Sequence, residues 1–125
     1  MADDETMAIL DAVNDALRQW VEAFNAGDLD GCVALYAADA VMHAKPSGTF
    51  IGIDEIREYW RVVIKEGFEE VEFIEPKMEL IDEEQVLVTG GWRMDRLRGV
   101  VHKDLWVLQP DGTARLLEDN FEMLG

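Results

Sequence analysis

The residues best suited to chemistry lie on one strand-like run, Val100-Val101-His102-Lys103-Asp104-Leu105-Trp106-Val107-Leu108. Side chains alternate along a strand, so His102, Asp104 and Trp106 are expected on one face and Val101, Leu105 and Val107 on the other. A histidine beside a carboxylate is the usual composition of an acid/base site. An aspartate among a tryptophan and aliphatic side chains loses hydration, which raises its pKa. Asp104 would then be either a neutral hydrogen-bond donor or a general base poised nearer neutrality, with His102 its partner. Each also has a structural alternative: an aspartate satisfied by a neighbouring indole or hydroxyl, and a half-buried histidine hydrogen-bonded in place.

Few other residues compete for that role. His43, His102 and Asp104 are the one conceivable metal set, and no HxxxH or CxxC spacing supports it, so no metal is expected. No P-loop, GxGxxG or nucleophile elbow occurs, and no cofactor is expected. Gly90-Gly91 lies inside a strand pattern, where it marks a sheet-bending bulge. Arg93, Arg96 and Arg98 flank one hairpin and either hold an anionic ligand group or, as is commoner, form a solvated turn. Four tryptophans, with Tyr36, Tyr59, Phe24, Phe50 and Phe121, form an aromatic set large enough to line a ligand pocket, although most belong to an ordinary core.

These residues need a scaffold, and 125 residues supply one domain able to bury roughly two thirds of its unfolded surface. The 49% hydrophobic content supports a real core. With 27 acidic against 11 basic residues, a formal charge of −16 repels phosphates and anionic headgroups. Nucleic-acid and membrane-surface partners are therefore disfavoured. Cys32 is the one cysteine, which fits a reducing compartment. The opening MADDET lacks the basic and apolar regions of a secretory signal, and no apolar run approaches the ~20 residues of a membrane span. A cytoplasmic protein is expected.

Residues 1–5 read as a frayed tail and 6–125 as the domain. Apolar positions from Met7 through Leu10, Val13, Leu17, Trp20 and Phe24 recur at helical spacing. Gly27 can close that helix and Asp28 can cap a short second one through Val33 and Tyr36. Residues 39–44 read as a strand and 45–48 as a loop, followed by a third helix from about Gly52 carrying Ile56, Tyr59, Trp60, Val63 and Ile64. Segments near 70–81, 86–94, 99–108 and 114–123 alternate or are β-branched, with turns at 82–84, 95–99 and 110–112. Three helices and then a four-strand antiparallel meander make an α+β fold.

Residues 24–60 carry the words NAGDLDG, VALYA and IREYW, in the order helix end, short helix, strand, loop, helix. In words and order the segment resembles ketosteroid isomerase and the wider SnoaL-like, nuclear-transport-factor-2-like superfamily. That resemblance implies a cone, in which three helices close one end of a strongly curved, mainly antiparallel sheet around an apolar pocket. It also implies a homodimer through the outer sheet face, because both faces of the 100–108 strand are largely apolar.

The resemblance places ketosteroid isomerase's oxyanion-hole tyrosine at Trp20, its catalytic base at Ala44 and its protonated aspartic acid at Asp104. One of three parts survives, so the usual isomerase mechanism is not expected. Trp20, Trp60 and Trp106 are expected at the cavity. Asp119, with Leu117 and Phe121, matches pocket-facing positions of the last strand, where Asp119 could replace the missing base, or equally pair with an arginine or sit at the solvent rim. Phe24 and Tyr59 complete the expected ligand-binding set. His43 either reaches the pocket mouth or pins the loop at 45–49, the second being favoured. The implied function is binding of a small, mostly apolar carbonyl compound with cofactor-free isomerase, cyclase or hydratase chemistry by Asp104 and His102. The alternative is a non-catalytic ligand-binding or dimeric interaction module that has lost the base (Ala44) and the tyrosine (Trp20).

Overall fold

The computed structural model describes residues 4–68, 70–95 and 97–125. Helix α1 spans Asp4–Asn25 and buries Ile9, Val13, Ala16, Leu17, Trp20 and Phe24 along one stripe. Of the expected tail, Asp4 and Glu5 form the helix's first turn and the rest lies outside the described residues. Asp28 caps α2 (Leu29–Val33) by accepting from the Gly31 N–H. Strand β1 (Tyr36–Lys45) then turns into the edge strand β2 (Gly48–Ile51), and α3 (Ile53–Lys65) follows. The remaining strands are β3 (Glu72–Leu80), β4 (Gln85–Met94), β5 (Leu97–Leu108) and β6 (Ala114–Met123).

Two expectations change at the first strand. Tyr36 opens β1 and is not part of the second helix, which ends at Val33. Residues 48–51 form a strand because the turn before them brings Thr49 and Phe50 back onto His43 and Met42. Four residues are too few to show an alternation.

The sheet order is β2-β1-β6-β5-β4-β3. All neighbours are antiparallel except β1 and β6, which run parallel. No hairpin can join a parallel pair, so β1 reaches β6 through β2, α3 and the meander β3 to β5. Register shifts in β3/β4, β4/β5 and β5/β6 bend the sheet. The expected bulge at Gly90-Gly91 is among them: Gly90 has φ 149°, and a Cβ there would crowd the Pro76 backbone. Side chains on the concave face meet α1 and α3 to form a single core.

Candidate functional site

Asp104 and Asp119 face each other directly across β5 and β6. Both are about 5% exposed, and they are the two buried charged residues of the described chain. Hydrogen bonding between the two carboxyls raises Asp104 and lowers Asp119. Burial pushes the Asp104 carboxyl well above the usual carboxylate range, and the charge of Asp119 pushes it further. The Asn120 backbone N–H opposes this weakly. Burial also raises Asp119, but hydrogen bonds from Asp104 and Tyr36 hold its rise down. Two carboxyls this close cannot both ionise in an apolar site, so the pair holds one proton, seated on Asp104.

Tyr36 completes the network. Its hydroxyl donates to Asp119 Oδ2 at 2.6 Å and accepts from the Trp60 indole N–H at 3.0 Å. Burial raises the Tyr36 hydroxyl well above its ordinary range, with the Asp119 charge adding to it, so it remains a donor. Opposite this network, Asp104 Oδ1 is buried with no hydrogen-bond partner among the described residues. The same is true of the indole N–H groups of Trp20, Trp92 and Trp106. A cavity of about 50 Å³ lies against Asp104, Asp119 and Tyr36, and all four tryptophans of the chain line it. Unpartnered buried polar groups in native folds call for a ligand, an ion or water.

His102 does not join the pair. The ladder advances from Val101 opposite Phe121 to Lys103 opposite Asn120, so His102 is an extra residue on β5. This bulge breaks the alternation: Val101 and Asp104 both point inward, and His102 turns out. There its Nε2 meets Glu122 Oε1 at 2.8 Å on an exposed face. Val101, expected on the outer face, lines the cavity instead.

A second bulge sits on β6, where the ladder runs from Glu118 to Leu116 while β5 moves one residue. Leu116, Asp119 and Phe121 therefore line the cavity, and Leu117, the expected member, does not. Trp20, Trp60 and Trp106 take their expected places in the wall. Phe24 is buried, stacked on Trp20 at 5.3 Å, and is not part of this cavity's lining. His43 bonds Thr49 at 3.0 Å, consistent with the favoured loop-pinning role. Tyr59 borders a separate outer hollow and not this cavity. Tyr36 and Trp92 belong to the aromatic set of the sequence but not to its expected cavity residues, and both line the cavity. A signal existed for Tyr36: it shares parity with the buried Ala40, Met42 and Ala44 of β1.

No cluster of three or more histidine, cysteine or acidic side chains among the described residues could hold a metal ion. No described helix is long and apolar enough to cross a membrane.

The model of the SnoaL-like domain family matches residues 17–116, most of the chain. The chain belongs to the SnoaL-like family. No curated protein matches this SnoaL-like chain in sequence. Its fold is shared by a candidate scytalone dehydratase from Novosphingobium aromaticivorans, with TM-score 0.83 and 14% identity, covering 98% of this chain and 88% of that one. LinA superposes with TM-score 0.82 at 16% identity, covering 100% and 92% of the two chains. A ketosteroid isomerase-like protein from Erwinia carotovora atroseptica gives TM-score 0.77 at 15% identity, over 99% of each chain. At such identities the likeness establishes a common fold, and the chemistry must come from the residues of this SnoaL-like chain.

Proposed function

We propose that this SnoaL-like protein is a cofactor-free acid–base enzyme that isomerises or dehydrates a small, mostly apolar carbonyl compound. The observation that carries the reading is the buried Asp104–Asp119 pair, set face to face across β5 and β6 in the cavity wall. It follows that Asp104 Oδ1, the oxygen without a partner, takes a proton from the carbon beside a carbonyl. The C–H electron pair moves into the carbonyl, which becomes an enolate. As Oδ1 gains this proton, the shared proton passes to Asp119, and the pair goes from one negative charge to none. The indoles of Trp20, Trp92 and Trp106 offer N–H donors to the enolate oxygen without titrating. Returning the proton to another carbon gives an isomer. Returning it to a departing β-hydroxyl releases water and restores the pair. Likeness in fold to a candidate scytalone dehydratase and a ketosteroid isomerase-like protein supports this reaction type.

The test is α-proton exchange of cyclohexanone and 2-acetylnaphthalene in deuterated buffer, followed by NMR. The wild type should catalyse exchange, and Asp104→Asn should slow it at least about 100-fold with the fold intact. Equal rates in the two proteins would refute the mechanism. The small cavity, with Trp20 in its wall and the buried Ala44 where the family resemblance places a base, favours a second reading, a ligand-binding module. Binding of either ketone without exchange would establish that one. The proposal includes a homodimer through the outer sheet face, supported by the half-buried Leu105 and Val107 that alternate with the inward Asp104 and Trp106.

A further inference from the structure

A larger hollow of about 530 Å³ lies beside the inner cavity. Its walls are the α3 face bearing Tyr59, Val62 and Val63, with Phe50 from β2 and Phe68 after α3. Trp60, Trp92, Met94 and Phe121 line both hollows and so form the partition between them. Phe121 sits at its centre. Its ring stacks on Trp60 at 5.8 Å and meets Trp92 and Tyr59 edge-on at 6.1 and 6.3 Å.

The two volumes suit two parts of one molecule. About 50 Å³ admits a few waters or the reactive end of a ligand, whereas 530 Å³ lies within the range of whole ligand pockets. Aromatic rings wall the outer hollow and favour a flat aromatic body. Its charged residues are Lys45, Glu58 and Glu66, and the chain carries a formal charge of −16, so an anionic body is disfavoured. The inner cavity offers the unpartnered indole donors of Trp20, Trp92 and Trp106, which call for an acceptor atom at the ligand's leading end.

We propose that the outer hollow is the body-binding subsite of the acid–base site, and that it takes a flat, uncharged aryl ketone. The carbonyl end of the ketone passes the Phe121 partition towards Asp104. The role given to the carbonyl rests on the acid–base reading; occupancy of the hollow does not.

The four indole N–H resonances of the intact protein provide the readout, because Trp60 and Trp92 border both hollows while Trp20 and Trp106 border the inner one alone. Titration with 2-acetylnaphthalene should shift Trp60 and Trp92, and 2-naphthoate, the same ring system with a carboxylate, should bind at least tenfold more weakly. Val63→Trp should weaken the ketone at least tenfold by filling the hollow. Val62→Trp, at an exposed position on the same helix, carries the test if Val63→Trp does not fold. No shift with the ketone, shifts confined to Trp20 and Trp106, naphthoate binding as tight as the ketone, or undiminished affinity in the folded variant would overturn the subsite. Ketone binding with the expected shifts but no proton exchange would uphold the subsite and remove the catalytic reading.

Discussion

Asp104→Asn should make the protein more stable as pH rises, and the pH dependence of that gain is calculable. The folded pair keeps a proton on Asp104, because burial and the Asp119 charge raise that carboxyl well above its ordinary range. In the unfolded chain Asp104 ionises near pH 4. A group whose folded pKa is raised contributes stability below the unfolded pKa and loses it as pH climbs towards the folded value. Between those limits the folded state binds one more proton than the unfolded state. Wild-type stability should therefore fall by about 1.4 kcal/mol per pH unit from this pair alone. For 125 residues the unfolding entropy is about 0.26 kcal/mol/K, so the slope corresponds to about 5 °C of Tm per pH unit. Asparagine cannot ionise and can still donate its amide to Asp119. The other acidic groups contribute to both proteins and cancel in the difference. Melting curves of the two proteins at pH 4 to 8, followed by circular dichroism, should diverge by about 5 °C per unit above pH 4 until the pair's raised pKa is reached. Parallel curves would mean that Asp104 ionises alike in both states, and the shared-proton account would be wrong.

Tyr36→Phe removes a donor to Asp119 and the acceptor of the Trp60 indole, and should cost about 1–3 kcal/mol, or about 4–12 °C in Tm. It should also raise the pair's apparent pKa, visible as a shift in the pH profile of exchange. Gly99→Ala would put a Cβ within 3.0 Å of both the Glu122 carbonyl oxygen and the Trp92 ring, so denaturant unfolding should show a loss of about 1–3 kcal/mol. Its Trp92 indole resonance should move. His102→Ala removes only a pair whose side chains are 44% and 38% exposed, and should change stability by less than about 1 kcal/mol. A larger loss in urea unfolding would contradict the outward placement of His102. Cys32 is buried and its thiol is pushed up to about 12 by burial, with the Asp28 charge adding to it; iodoacetamide at pH 8 should label it only as the protein unfolds.

Periodicity in the sequence determined the elements, because burying one face imposes a repeat that any reader of the chain can see. The stripe from Leu10 to Phe24 specified α1, and the alternating runs after Gly67 specified β3 to β6 within a few residues. Alternation put Asp104 and Trp106 on one face of their strand, and the resemblance to the SnoaL-like family implied which face lines the pocket. What tertiary structure decided was register. A strand's side chains repeat every two residues, so one inserted residue sends everything beyond it to the opposite face. The bulge at His102 and the second one on β6 each did this. They separated His102 from Asp104, moved Leu117 off the cavity, and set Asp119 directly opposite Asp104. Tyr36 reaches Asp119 across 83 residues because β1 lies parallel to β6, a pairing that no local repeat encodes. Composition and spacing chose the residues, and long-range strand pairing chose which of them meet.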